Sequence, residues 1–288
     1  MRVTVLGVRG QLGAAVADEF QRAGYDVAAY DRAALDVTRS EQVATELARA
    51  RPDIIINCVA YNAVDAAEDQ PVLALEVNAF ALRALARVAT AQGASLVHYS
   101  SDFVFDGTGS VPYTEEDHPN PQSVYAASKL LGEWFALEAP RAYVLRVESL
   151  FGRAPGGPPA KGSVEGIIDA IRAGRAQKVF EDRIVSPTFV SDASRATRAL
   201  IEGQAPSGLY HCVNTGHASW LDVAREAARL MGTDGRFEPV RLSEMKLRAQ
   251  RPVYCALSNA KLAAFGFQMP SWQDALASYV RSVEIASR

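Results

Sequence analysis

Residues 53–60 read DIIINCVA, a run of apolar and β-branched side chains with polar groups at its ends. Such a run has no polar face to offer water, so it reads as a strand buried on both faces. A strand of that kind needs one layer of helices above its sheet and another below. The flanking segments supply both. RVTVLG (2–7), DVAAYD (26–31), SLVHYSS (95–101) and AYVLRVESLFG (142–152) have strand character. Helix-period stretches separate them: LGAAVADEFQRAG (12–24), SEQVATELARA (40–50), PVLALEVNAFALRALARVATAQG (71–93) and the segment around Tyr125. Ser40 is placed to cap the second of these. The alternation predicts an α/β fold, a doubly wound parallel sheet with helices on both faces.

After Gly152 the character changes. GRAPGGPPAKGS (152–163) is a Gly/Pro loop, long enough to suggest a mobile or substrate-covering role. Beyond it come short helices and isolated strands such as GLYHCVN (208–214). The expected division is a dinucleotide-binding domain over 1–152 and a smaller substrate-binding part over 153–288, with some later strands returning to the first sheet.

Composition narrows the partners. A net charge of −3 gives no electrostatic case for nucleic acid or an anionic membrane. Cys58, Cys212 and Cys255 lie far apart without a CxxC or histidine pairing, so neither a disulfide framework nor a metal site is expected. No segment has the roughly 20 apolar residues of a membrane span, and MRVTVLGVRG lacks a signal-peptide core. A cytoplasmic location is the default. The oligomeric state stays open, with a homodimer as one expectation.

Gly7, Gly10 and Gly13 in GVRGQLG stand where the first strand passes into the first helix. Small residues there let the backbone turn tightly and approach a pyrophosphate at the positive end of the helix. This is the phosphate loop of a Rossmann-type fold, spaced GxxGxxG. Asp31 ends the second strand, where a carboxylate accepts from the adenosine ribose; Arg32 could instead meet a 2′-phosphate. NADH and NADPH both remain open. Asp36 is either a helix cap or a cofactor contact. NCVAYNAVD (57–65) ends the third strand with small residues that let ribose and phosphate lie close.

Tyr125 and Lys129 lie one helical turn apart, roughly 6 Å along the axis. A free tyrosine holds its proton too tightly to exchange it at neutral pH. A neighbouring ammonium favours the phenolate and lowers that affinity. Ser101, at the end of SLVHYSS, can hold a carbonyl by hydrogen bond, with Ser100 as the alternative. Serine, tyrosine and lysine together make a carbonyl-reducing constellation.

These features resemble the extended short-chain dehydrogenases/reductases. GVRGQLG, PDIIINCVAYNAVDAAED, HYSSDFVFDG, PNPQSVYAASKLLGE, SPTFVSDASRA, GLYHCVNTGHASWLDVA and QRPVYCALS together resemble the dTDP-4-dehydrorhamnose reductase family over nearly the whole chain. The resemblance implies NAD(P)H-dependent reduction of a 4-keto nucleotide-sugar, with Ser101, Tyr125 and Lys129 catalytic. It places cofactor contacts on Gly10, Gln11, Leu12, Asp31, Asp36, Val37, Val59, Ala60 and Tyr61. Substrate contacts fall on Ser101, Asp102, Phe103, Val104 and Phe105, with Ser149 at the position of the family's pocket tryptophan and Arg251 as a phosphate partner in a region that closes over the nucleotide. Where the family reads T-S-W-(V/L)-(Y/F)-G, this chain has Val147-Glu148-Ser149-Leu150-Phe151-Gly152. An aromatic wall is lost at Ser149 and an acid gained at Glu148, so base and sugar stay open. Epimerases share the constellation; cofactor-binding regulatory subunits share the fold, and the retained Ser–Tyr–Lys set argues against that reading.

Among the rest, His98 and His211 read as core or supporting histidines. Trp220 and Trp272 read as staples from the C-terminal part to the sheet, and Glu115–Asp117 as a solvated loop. Lys161 is either solvated or a diphosphate contact.

Overall fold

The computed structural model describes residues 1–285. The N-terminal half alternates β1 (Arg2–Leu6), α1 (Gln11–Arg22), β2 (Asp26–Tyr30), α2 (Ser40–Ala50), β3 (Ile54–Asn57), the short α3 (Val64–Ala67) and α4 (Pro71–Leu75), then α5 (Ala81–Gln92) and β4 (Ser95–Ser101). α6 (Val124–Ala136) and β5 (Ala142–Val147) follow. The last strand of the sheet, Gly208–His211, comes from far along the chain, and the strand order is Gly208–His211, β5, β4, β3, β1, β2. All its pairings are parallel. The chain reverses direction across the sheet between β1 and β3, which is where such sheets open a crevice.

Side-chain alternation sorts the two faces. Val3, Val5, Ile54, Ile56, Val97, Tyr99, Tyr143 and Leu145 pack in one core with α1. Leu6, Ile55, Leu96, Ala142 and Val144 pack in the opposite core with α2 and α5. That period of two is what a strand buried on both faces requires.

Beyond β5, the chain bends at Ser149, a non-glycine residue with φ of +46°, into β6 (Leu150–Phe151). α7 (Ser163–Arg172), β7 (Gln177–Phe180), β8 (Ile184–Val185) and β9 (Thr188–Phe189) follow. α8 (Val190–Glu202) then packs beside α1, and β10 (Gly208–His211) completes the main sheet. β11 (Ala218–Ser219), α9 (Trp220–Leu230), β12 (Phe237–Val240), α10 (Ala260–Phe265) and α11 (Trp272–Ile285) close the chain. Residues of α7, α9 and α11 form a third core that contains Trp220 and Trp272. Those tryptophans therefore fill the C-terminal core and do not staple it to the main sheet.

Two local expectations are corrected, and for Asp36 the helix-cap alternative falls while the cofactor one is untouched. Ser40 does not cap α2; it is the first helical residue, after Arg39, and no side chain caps that end. Asp36 holds its own turn by accepting from the backbone N–H and hydroxyl of Thr38 at 3.1 and 2.8 Å. The long helical stretch 71–93 is interrupted by a π-helical turn, Glu76–Phe80. The turn presents Asn78, whose amide bridges the backbone N–H and carbonyl of Tyr61 and donates to Ser128. The Asn78 carbonyl also faces Gly132 of α6 so closely that a Cβ there would lie 2.1 Å away.

One ion pair is enclosed. Arg146 of β5 donates through Nε and Nη2 to both carboxylate oxygens of Glu133, each at 2.8 Å. Phe105 lies beneath the guanidinium, 4.9 Å from its ring centre, and His211 Nε2 lies 3.4 Å from Nη1. His211 also bonds outward: its backbone N–H donates to Glu115 at 2.7 Å. Glu115 is thus tied to the sheet, unlike the solvated loop expected from its sequence.

Candidate active site

The cleft of about 740 Å³ opens at the carboxyl ends of the central strands. Its first wall is the glycine turn. Gly7 has φ of +86°, and its N–H donates to the carbonyl of Tyr30. A Cβ at Gly13 would stand 2.3 Å from the Gly7 oxygen, so the start of α1 can lie against the turn only with glycine there. Gly10 opens α1 without any side-chain cap, leaving the first N–H groups free to meet an anion. Gly10, Gln11, Leu12 and Gly13 line the cleft; Gly7 lies behind them as their support. Replacing Gly13 with alanine should raise the Kd for a nicotinamide dinucleotide about 5- to 150-fold, from the ~1–3 kcal/mol cost of overpacking. A fluorescence titration reads this, and an unchanged Kd would contradict the assigned turn.

Asp31, Arg32 and Asp36 edge a second hollow at the rim, together with Arg9 and Arg39. Asp31 pairs with Arg9 at 2.7 Å and accepts from the Ala34 N–H at 3.0 Å. These contacts, the Ala34 bond foremost, hold its carboxyl below the usual range. Val37, expected beside the cofactor, packs inside the core with Leu35 and Val43. Val59 and Ala60 do line the cleft. Tyr61 stands back from it, clamped by Asn78.

Ser123 caps α6, accepting from the Ala126 N–H at 3.2 Å, and so fixes where the following turns project their side chains. Tyr125, Lys129 and Ser101 all reach the cleft. Ser101 Oγ donates to Asp102 at 2.9 Å and accepts from the Phe103 N–H at 3.2 Å. Lys129 Nζ donates to the Tyr99 carbonyl at 2.6 Å and lies 3.5 Å from His98 Nε2. His98 in turn meets Asn57 at 3.2 Å, so it is a supporting histidine in the interior. Ser100 also lines the cleft, its hydroxyl buried without a partner.

The electrostatics differ from the expectation. Burial pushes the Tyr125 phenol up to about 12; Ser101 opposes this and the Asp102 charge adds to it. Burial draws Lys129 down to about 8 against the charge of Glu133. Burial thus outweighs any lowering of the tyrosine in this state, and the lysine's ammonium is turned onto the Tyr99 carbonyl. The outcome is a phenol that keeps its proton and an ammonium poised to lose one.

Phe103 lines the cleft and meets Tyr125 edge to face, with centres 5.5 Å apart. Val104 and Phe105, expected on the substrate, are wholly buried; Phe105 stacks on Tyr113 at 4.2 Å. Ser149 lines the cleft as expected. Arg251 does not: both its terminal nitrogens are engaged by Asp65 at 2.9 Å, which hold that carboxyl well below its ordinary range.

Residues the sequence reading did not assign also reach the cleft, chiefly Arg183, Trp220 and Asn62. Trp220 supplies an aromatic surface to a pocket whose strand-end position is Ser149. The Gly/Pro loop contributes Pro158, Pro159 and Lys161, and the Lys161 N–H donates to Gln11 at 3.1 Å. Nothing in the local pattern of RIVSPT or SWLDVA marks Arg183 or Trp220; only the third core brings them to the sheet.

Comparison with known proteins agrees with this arrangement. The family described as RmlD substrate binding domain matches residues 1–285. Over 284 residues the chain is 36% identical to a dTDP-4-dehydrorhamnose reductase of Streptomyces griseus, covering 96% of this chain and 91% of that protein. The crystal structure of a dTDP-4-dehydrorhamnose reductase from Clostridium acetobutylicum superposes with a TM-score of 0.92 at 32% identity, covering 99% of this chain and 100% of that one. A Bacillus anthracis dTDP-4-dehydrorhamnose reductase in complex with NADP gives 0.91 at 34% identity, covering 98% and 99%.

Proposed function

Because the chain belongs to the RmlD substrate-binding-domain family, that of the dTDP-4-dehydrorhamnose reductases, we propose that it reduces a 4-keto nucleotide-sugar with NAD(P)H. The carrying observation is the meeting of Tyr125, Ser101 and Lys129 with the glycine turn in one cleft. A dinucleotide suits this cleft: the turn excludes even a Cβ, and the uncapped start of α1 receives a pyrophosphate. Bound NAD(P)H supplies the hydride that reaches the ketone carbon.

The chain's own residues do the remainder. Ser101 orients the ketone oxygen by hydrogen bond, and Tyr125 delivers its proton to that oxygen. Lys129 holds the nicotinamide ribose and lends positive charge as the phenol becomes phenolate. Asp102 keeps Ser101 in place. Arg9, Arg32 and Arg39 give the rim hollow cationic partners for a 2′-phosphate, which supports NADPH as the preferred form. We read residues 1–152 as the cofactor domain, with β10 and α8 returning to it, and 153–288 otherwise as the substrate part.

No described helix is long and apolar enough to cross a membrane. A cytoplasmic setting is consistent with the free thiols of Cys58, Cys212 and Cys255. The exposed Phe80, Trp134 and Leu137 offer an apolar face for a homodimer, which sedimentation velocity would test.

The test of function is a panel of dTDP-, GDP-, UDP- and CDP-4-keto-sugars, followed by loss of reduced-cofactor absorbance. Absence of stoichiometric oxidation with every sugar would refute the reductase. A pH dependence follows as well. Lys129 acts as the ammonium, so kcat/KM for reduction should fall as pH rises through about 8. Lys129→Arg, which keeps its charge, should carry that fall to higher pH. A limb that stays in place in the variant belongs to another group.

A further inference from the structure

Among the residues that line the cleft, several polar atoms have no partner within the protein. Asp102, 3% exposed, directs Oδ1 to Ser101 and leaves Oδ2 unmatched. Glu148, 1% exposed, accepts the Ser186 N–H with Oε2 at 2.6 Å and leaves Oε1 unmatched. Arg183 Nε is buried and unmatched too; its Nη2 reaches only the Cys255 sulfur, at 3.7 Å. The guanidinium lies over the Phe103 ring, 5.3 Å from its centre. All three side chains line the cleft. Native interiors leave few such atoms unpaired, and these three belong to residues that line one cleft, which points to a ligand that completes them once the side chains turn toward it.

Their chemistry specifies the ligand. The carboxyl oxygens of Asp102 and Glu148 beside the Arg183 Nε–H offer acceptors and a donor together, a mixed set that complements hydroxyls, since a hydroxyl can both give and take a hydrogen. Burial pushes both carboxyls up, Glu148 well above its ordinary range, and the Arg183 guanidinium beside them opposes this. Two carboxyls with one guanidinium suit a polyol edge better than a phosphate. Asp102, Glu148 and Cys255 also offer ligand atoms within 4.8 Å of one another, as a divalent ion would need. However, the Arg183 guanidinium already places a positive charge beside them.

We propose that Asp102, Glu148 and Arg183 form a subsite that grips two adjacent hydroxyls of the hexose ring and selects sugars that carry them. The inference rests on the reductase reading and adds the feature of the sugar that is recognised. It assigns to Glu148 and Arg183 a role in specificity, in a pocket where Ser149 contributes no aromatic wall.

The test compares dTDP-4-dehydrorhamnose with its 2-deoxy and 3-deoxy analogues. The wild-type enzyme should favour the parent over each analogue in kcat/KM by at least about 100-fold, since a site built for a hydroxyl rejects the compound lacking it. Glu148→Leu should bring those ratios toward one, with NADPH affinity retained. Glu148→Gln, which keeps an acceptor and a donor, should preserve most of the discrimination. If Glu148→Leu does not fold, Arg183→Gln reads the same ratios. Equal efficiency of parent and analogues in the wild type overturns the subsite and leaves the reductase standing. One tightly held divalent ion per chain, lost in the Glu148 or Arg183 variant, overturns it in favour of a metal centre. No turnover of the parent sugar overturns the reductase reading and the subsite together.

Discussion

Tyr125→Phe should lower turnover of the keto-sugar by about 10²- to 10⁴-fold, the usual contribution of a positioned general acid. The change removes one oxygen and little else. The ring keeps its edge-to-face contact with Phe103, and the Ser123 cap and the Lys129 contact to Tyr99 stay intact. NADPH should therefore bind nearly as in the wild type. The raised phenol matters here: at about 12 it remains fully protonated at neutral pH and releases its proton only to a stronger base, which the forming alkoxide is. Steady-state kinetics with a parallel cofactor titration separates the two effects. A variant that keeps more than about a tenth of the turnover would remove Tyr125 from the acid role.

The second large effect is on stability. Arg146→Leu should cost about 3–5 kcal/mol, because it strands the Glu133 carboxylate in the interior without its bidentate partner. The double variant Arg146→Leu with Glu133→Leu should recover much of that loss, since apolar pairs often replace enclosed ion pairs at small cost. Urea unfolding midpoints of the single and double variants decide it. A single variant as unstable as the double would show that packing rather than the stranded charge sets the cost. The pair also bears on the chemistry: Glu133 lies one turn beyond Lys129 on α6 and raises its proton affinity. Arg146 thus tempers a charge that the reaction depends on.

The parallel sheet was legible because DIIINCVA admits no exposed face, and alternating strand residues then had to split between two cores. The phosphate turn was legible because its glycines answer a steric demand visible in spacing alone. Tyr125 and Lys129 were legible as neighbours, since one helical turn fixes their relation, but not their charge states. Those depend first on burial, which only the folded cleft sets, and then on neighbours such as Asp102 at another strand end. Phe105 and Val104 could not be told from Phe103 by sequence, because the short 3-10 turn at Asp102–Val104 swings them inward. Arg251 reads as a free cation until Asp65 is found beside it. Arg183 and Trp220 lie far along the chain from the sheet, and only long-range packing assigns them to the cleft.

The π-helical turn at Glu76–Phe80 has a consequence for chain length. A π turn accommodates a surplus residue within a continuous helix. Deleting one residue there would restore regular winding and leave Leu82, Leu85 and Ala89 close to the core they fill. The loss would fall on Asn78, whose hold on Tyr61 depends on the wide turn. A one-residue gap outside this turn has no such reserve, since it rotates everything downstream by roughly 100°.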